Sequence, residues 1–299
     1  MKIVFFGSGP VAAESLEKLL SWADIELIVT KRRAEHHKDP APVETIANTN
    51  NIKLSYANTK KELEKLILDI KPKSKIGLVI DYGVIISKPT IEYFELGIVN
   101  SHFSLLPAWR GADPITFSIL SGQTETGVTL MTIDEGLDTG PILVKSKFSL
   151  DDSWNNQQLT AELIDLSDQL LQENVPKYID GTLTPQPQLA NDITTYSRML
   201  TKHDAILDPN KPASQLAREI RAYSEWPKSK LILKNGQQLI ITEAVPAEEQ
   251  LDIGQIIIVD NKMLLGCRIG SLNITALKPA GKKSMDVRSF LNGYHSWIK

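Results

Sequence analysis

Lys2 to Phe6 is a short apolar run, and Gly7-Ser8-Gly9-Pro10 is a turn. Val11 to Trp22 carries Val11, Leu16, Leu19 and Leu20 at helical spacing, and Ile25 to Val29 is a second apolar run. Strand, tight turn, helix and strand in that order constrain the fold more than any other feature of the chain. A helical crossover between two strands is right-handed in nearly every known case and leaves the strands parallel. The chain is therefore expected to open a parallel sheet of the Rossmann-like α/β class. The alternation continues. Helices are expected over Val43–Asn50 and from about Asn58 to Ile70, then a strand over Ile76–Ile80. A loop at Tyr82–Ile86, a helix over Pro89–Phe94 and a strand over Ile98–His102 follow. Next come a helix over Ala112–Ser121, strands over Gly127–Ile133 and Ile142–Phe148, and a long helix from Asn155 to about Tyr178.

Thr184-Pro185-Gln186-Pro187 ends this pattern, and from Ser229 onward the text changes character. Short β-runs at Lys230, Gln238, Gly254, Met263 and Ser271 are separated by turn residues, which is the spacing of a small barrel, and a terminal helix covers Val287 to Trp297. A length of 299 residues accommodates two such domains. We expect a first domain over 1–188, a linker over 189–204 and a β-barrel domain over 205–299. The net charge of −3 hides an asymmetry: 18 Lys+Arg against 25 Asp+Glu in residues 1–187, and 15 against 11 afterwards. A basic second half hints at a polyanionic partner. No apolar run is long enough for a membrane span, and the start lacks the apolar core of a signal peptide. The single Cys267 reads as a small buried apolar side chain and suits a reducing cytoplasm.

Two stretches offer chemistry. Gly7-x-Gly9-x-x-Ala12 after a strand matches the dinucleotide fingerprint, and Lys31-Arg32-Arg33 after the second strand suits the 2′-phosphate of NADP. The same glycines also serve a plain strand-to-helix turn, with Pro10 preset for the first helical turn. The second stretch is Ile98 to Gly111. Asn100 and His102 lie two apart, so they share one face of a strand. An amide and a titratable imidazole side by side at a strand end suggest a site. Asp134-Glu135-Gly136-Leu137-Asp138-Thr139-Gly140 is a tight acidic turn further on.

Asn100-x-His102-x-Ser104-Leu105-Leu106-Pro107-x-x-Arg110-Gly111, followed by Asp134 to Gly140, resembles the signature of the formyltransferases that use 10-formyltetrahydrofolate. The resemblance implies that Asn100, His102 and Asp138 are the catalytic set and that no metal is needed. The chemistry suits these residue types. An amine attacks the formyl carbon, and side-chain donors at Asn100 and His102 would stabilise the oxyanion. His102 can relay a proton, and Asp138 would orient it. The resemblance also places the folate against Tyr82, Ile85 and Ile86, with backbone contacts from the turn at Gly136, and puts Ser104, Leu105, Leu106 and Pro107 at the formyl end.

Within the family the likeness is greatest to the branch that formylates initiator methionyl-tRNA for translation initiation, and it covers nearly the whole chain. Tyr196-Ser-Arg-x-Leu, Ile220-Arg-Ala-Tyr223 with Trp226-Pro227, and Leu277 to Lys283 resemble that branch's appended domain, which is similar to an oligonucleotide-binding barrel. The resemblance implies that Lys31, Arg32, Arg33, Lys38, Arg110, Lys282 and Lys283 help hold tRNA, and that the protein works in the cytoplasm as a monomer. The 31–39 loop is shorter than the branch's and contains Glu35, His36 and His37. Asp81 and Asp113 stand where alanine is usual, and both add negative charge near the site. The competing readings are an N-formyltransferase acting on an amino sugar, an NADP-dependent oxidoreductase, and a tRNA-binding module without activity.

Overall fold

The computed structural model describes residues 1–33, 40–189 and 193–298. They fall into two compact units. The first comprises Met1–Pro114, Glu125–Ser149 and Thr160–Ser197, and the second Ile115–Thr124, Leu150–Leu159 and Arg198–Lys299.

The first unit opens with β1 (Lys2–Phe6), α1 (Pro10–Leu19) and β2 (Asp24–Thr30). Then come α2 (Pro42–Thr49), β3 (Leu54–Tyr56), α3 (Lys60–Ile70), β4 (Gly77–Val79), α4 (Lys88–Tyr93), β5 (Ile98–His102) and the short β6 (Arg110–Gly111). The sequence explains the boundaries. Proline occupies the first turn of α1, α2 and α4, where its missing N–H costs nothing. The Thr59 side chain accepts from the Glu62 N–H at the start of α3, and Lys71 ends that helix in the left-handed region. Gly7 is fixed by packing: a Cβ there would lie 2.6 Å from the Phe5 ring and 2.7 Å from Ala12 Cβ.

After α5 (Pro114–Ser121), nearly all of which belongs to the second unit, the chain returns as β7 (Glu125–Thr132), β8 (Ile142–Ser149), α6 (Asn156–Ile179) and β9 (Tyr196–Ser197). The sheet runs β3-β2-β1-β4-β5-β7-β8. Its first five strands are parallel, as the opening crossover requires, whereas β7 pairs antiparallel with both β5 and β8. Between β7 and β8 lie only residues 133–141, too few to cross the sheet and return parallel. An antiparallel edge on a parallel sheet is common. On one face Val4, Phe6, Leu27, Val29, Leu63, Ile67, Phe94 and Ile98 form a continuous core. Phe6 meets Tyr82 and Phe94 at ring distances of 5.9 and 6.1 Å, which orders the core beneath the ends of β1 and β4.

The second unit contains α7 (Ala213–Ala222), β10 (Lys230–Ile232), β11 (Gln238–Ala247), β12 (Ile256–Val259), β13 (Lys262–Gly266), β14 (Ser271–Pro279), β15 (Met285–Asp286) and α8 (Val287–Tyr294). The strands form one antiparallel sheet in the order β10-β11-β14-β13-β12, with β15 added to β14. β10 and β12 end the order without pairing to each other, so the barrel expected from the strand spacing is a half-barrel. Register shifts around Glu243 bend β11 so that the sheet curls over α7 and α8. Leu216, Ile220, Leu239, Met263, Leu272, Ile274 and Phe290 fill the concave side. Cys267 is buried there, and burial pushes its thiol up to about 11, as suits a packed rather than a reactive cysteine. Residues 115–124 and 150–159 belong here because Arg218 donates to the Leu120 carbonyl and Arg221 to that of Trp154.

Candidate active site

β5 lies between β4 and β7, with Asn100 opposite Val79 on one side and Met131 on the other. Ile98, Asn100 and His102 point to one face of the strand and Val99 and Ser101 to the other. The second face is fixed by the Ser101–Ser167 hydroxyl contact of 2.7 Å onto α6. Asn100 is half-buried, and its side-chain amide has no hydrogen-bond partner among the described residues. His102 is 6% exposed. The sequence places these two as neighbours on one face, and the structure does the same.

The chain then leaves the sheet as a loop that returns to His102. The Thr129 hydroxyl donates to the Ser104 carbonyl at 2.7 Å and accepts from the Leu106 N–H at 3.0 Å. The Lys145 ammonium donates to the Leu106 carbonyl at 3.0 Å, and the Ser104 hydroxyl to that of Ala108. The Trp109 carbonyl is thereby brought to 3.0 Å from His102 Nε2. A carbonyl only accepts, so Nε2 carries the hydrogen and Nδ1 is the nitrogen that can exchange a proton.

Nδ1 faces Asp138 Oδ2 at 3.7 Å, across the 36 residues that separate them in sequence. The same Oδ2 accepts the Gly111 N–H at 2.7 Å. Gly111 is held in turn because β6 pairs with β9, with Arg110 N–H on the Thr195 carbonyl and Trp109 N–H on the Thr195 hydroxyl. Burial depresses the His102 pKa, and the Asp138 charge and the Trp109 carbonyl oppose that depression. The free imidazole is thus kept neutral at pH 7, with a carboxylate placed to favour its charged form at the moment a proton arrives.

Asp81 argues against a nucleotide phosphate at the N-terminal glycines. Its carbonyl accepts the Ser8 N–H, and its carboxylate lies so close to Gly9 that a Cβ there would be 2.0 Å from Oδ2. A fixed negative charge therefore occupies the N-terminus of α1, where a pyrophosphate would have to bind. The NADP reading fails on that charge. Asp81 keeps an exposed outer surface, although the neighbouring chain desolvates its carboxyl. That burial lifts its carboxyl from 3.8 to about 6, against the pull of Lys31 and with a further push from Asp113. A raised carboxyl pKa contributes stability below about pH 4 and loses it as pH rises through about 6. Asp81→Asn is expected to leave Tm unchanged at pH 4 and to raise it at pH 8. A thermal melt across that range checks this, and an offset constant with pH would contradict it.

The other expected residues divide by accessibility. Ile85 is 75% exposed, and Leu105 and Gly136 also keep open surface. Tyr82, Ile86, Ser104, Leu106 and Pro107 are buried, and the Tyr82 hydroxyl donates to the Ala57 carbonyl at 3.0 Å. Lys31, Arg32 and Arg33 follow β2, with the Arg32 guanidinium over the Tyr56 ring at 4.3 Å. Lys38, like His36 and His37, lies outside the described residues. Arg110 is directed inward, one Nη donating to Gln188 at 2.6 Å. Lys282 and Lys283 are exposed between β14 and β15 of the second unit. Thr129, Lys145, Gln188, Thr195 and Ser197 all brace the site without having been expected. Single polar residues in a strand or linker give no local signal, and only the register of β5 with β7 and of β6 with β9 reveals them.

Residues 1–175 match the family model described as formyl transferase, and residues 199–295 match that of the formyl transferase C-terminal domain. The chain belongs to the formyl transferase family. Two relatives named methionyl-tRNA formyltransferase align almost end to end. The protein of Thermodesulfovibrio yellowstonii is 34% identical over 298 residues, covering 97% of this chain and 95% of its own. That of Dechloromonas aromatica is 31% identical over 300 residues, covering 98% and 96%. Among solved structures, an N-formyltransferase from Helicobacter canadensis, described in complex with folinic acid and dTDP-3-aminofucose, superposes with a TM-score of 0.69. It is 20% identical, over 92% of this chain and 98% of its own, a likeness of fold. This formyl transferase has no helix among its described residues long and apolar enough to cross a membrane.

Proposed function

We propose that this formyl transferase moves the formyl group of 10-formyltetrahydrofolate to the amino group of the methionyl moiety of initiator methionyl-tRNA, in the cytoplasm and as a monomer. The observation that carries the reading is the joint placement of Asn100, His102 and Asp138: an amide with no partner among the described residues and a buried imidazole on one strand face, with a carboxylate facing the imidazole. The end-to-end likeness to relatives named for methionyl-tRNA supports that choice of acceptor over an amino sugar.

The site fits a folate donor. Two large apolar side chains, Ile85 and Leu137, are 75% and 60% exposed on the loops after β4 and β7. Such surfaces suit a flat heteroaromatic ring, and the exposed backbone of Asp134–Leu137 is open to its polar edge. The donor supplies an electrophilic carbonyl carbon. Asn100 Nδ2 donates to the oxygen on which negative charge develops when an amine adds there. His102 Nδ1 takes the proton that the attacking amine loses and delivers it to N10 of the donor, so that the formyl C–N10 bond breaks and tetrahydrofolate leaves, and Asp138 stabilises the charged ring meanwhile. The 3.7 Å gap between Nδ1 and Oδ2 suits a contact that tightens when the ring is charged. No side-chain nucleophile is required.

The tRNA side rests on charge. Lys31, Arg32 and Arg33 in the first unit and Lys282 and Lys283 in the second present cations of the kind that contact phosphates. Replacing Arg32 and Arg33 together by Gln is expected to raise the KM for tRNA by about five- to tenfold, with kcat retained and a flatter salt dependence. Initial rates at several salt concentrations measure this, and an unchanged KM would remove that segment from the interface. Incubation with donor and charged initiator tRNA tests the function itself. Formyl-methionyl-tRNA is the expected product. Its absence, with formylation of a nucleotide-linked amino sugar instead, would replace the reading.

A further inference from the structure

Asp138 adopts a left-handed backbone conformation, φ 51°, a sparsely populated region that aspartate enters more readily than most non-glycine residues. Asp134 Oδ1 accepts from the Gly136 N–H and the Thr139 hydroxyl, which fixes the ends of the turn around the acid. The Asp138 backbone itself is bonded by Gln188, 50 residues later. Gln188 Nε2 donates to the Asp138 carbonyl at 2.8 Å and to the Gly140 carbonyl at 3.0 Å, using both of its N–H groups. Its Oε1 accepts from Arg110 Nη2 at 2.6 Å. The amide orientation is thereby determined, because a flipped amide would face two carbonyls with an oxygen. Gly111, next to Arg110, donates to Asp138 Oδ2. A closed ring of contacts results, from Gln188 through the Asp138 backbone and carboxylate to Gly111, Arg110 and back.

We propose that Gln188 is a positioning residue for formyl transfer. It holds the Asp138 turn and the Arg110–Gly111 segment in register, so that the carboxylate faces His102 Nδ1 rather than solvent. This rests on the catalytic reading of Asn100, His102 and Asp138 given above. Two functions of the amide separate by substitution. Gln188→Ala removes both. Gln188→Glu keeps an acceptor for Arg110, with added charge, but places a carboxylate against two carbonyls and loses the hold on the turn.

Kinetics with saturating donor and tRNA, and NMR titration of His102 without substrate, test the proposal. Gln188→Ala is expected to lower kcat about 10- to 50-fold with both KM values within threefold, since a displaced orienting group affects the chemical step. Gln188→Glu should lose at least as much. In both variants His102, assigned by comparison with His102→Ala, should titrate at lower pH than in the unmodified protein, because the carboxylate that raises its pKa has moved away. Full activity in Gln188→Glu, or an unmoved His102 titration in either variant, would overturn the proposal. Should Gln188→Ala fail to fold, the isosteric Gln188→Glu decides alone. An unmodified chain that forms no formyl-methionyl-tRNA would overturn the reading of function instead, and the substrate-free titration would still decide whether Gln188 positions the pair.

Discussion

Asp138→Asn should retain the fold and lose about 10³-fold or more in kcat, by the scale seen when an orienting carboxylate beside a catalytic His is made neutral. Asparagine keeps the shape of the side chain and an oxygen for the Gly111 N–H, so the 2.7 Å bond that seats the turn can survive. What it removes is the negative charge 3.7 Å from His102 Nδ1. That charge is the principal influence raising the pKa of an imidazole that burial depresses. Without it the ring accepts a proton less readily, and the amide oxygen held on the Gly111 N–H leaves Nδ1 facing only a neutral dipole. Donor affinity should change little, because the apolar surfaces of Ile85 and Leu137 remain in place. Rapid-quench single turnovers with bound donor measure the chemical step, and circular dichroism monitors the fold. Near-normal turnover would show that the pair is structural. An unfolded variant would show that Asp138 holds the loop rather than the chemistry.

The sequence made the strand carrying the site plain, but not the frame around it. Asn100 and His102 are two residues apart, and period-two geometry alone puts them on one face. Asp138 was legible only through the family signature, since its approach to His102 depends on a turn that folds back over the sheet. The antiparallel edge was hidden because β7 and β8 have the composition of any strand, and direction is set by where the intervening loop ends. Gln188, Thr195 and Ser197 sit in a segment that reads as linker, Pro-rich and then polar. They matter because Arg110–Gly111 pairs with Tyr196–Ser197, a contact between short segments 86 residues apart that no local pattern encodes. Gly7 and Gly9 illustrate the opposite risk. Their spacing suggested a phosphate cradle, while the space around them is taken by Phe5, Ala12 and the Asp81 carboxylate. A motif states where backbone can come close, and only packing states what comes close to it.

Asn100→Ala should lower kcat by about 10²–10³-fold, about 2.7–4 kcal/mol in the transition state, as expected for one side-chain donor removed from a developing oxyanion. The effect on stability should be small. The amide is half-buried and has no hydrogen-bond partner among the described residues, so its loss strands no other group. Beside it the other members of the constellation are held: His102 to Trp109, Asp138 to Gly111, Gln188 to Asp138 and Arg110. A donor that no described residue occupies is available to an acceptor that arrives with the substrate, and such a placed dipole stabilises charge as it develops. Asn100→Asp separates donation from shape. It is isosteric, but it sets a negative charge against the developing oxyanion, so it should be slower than Asn100→Ala rather than intermediate. Both variants should bind donor with an affinity close to that of the unmodified chain, measured by fluorescence titration. An Asn100→Asp variant faster than Asn100→Ala would mean that the side chain fills space beside His102, and the oxyanion donor would have to be sought in His102 itself.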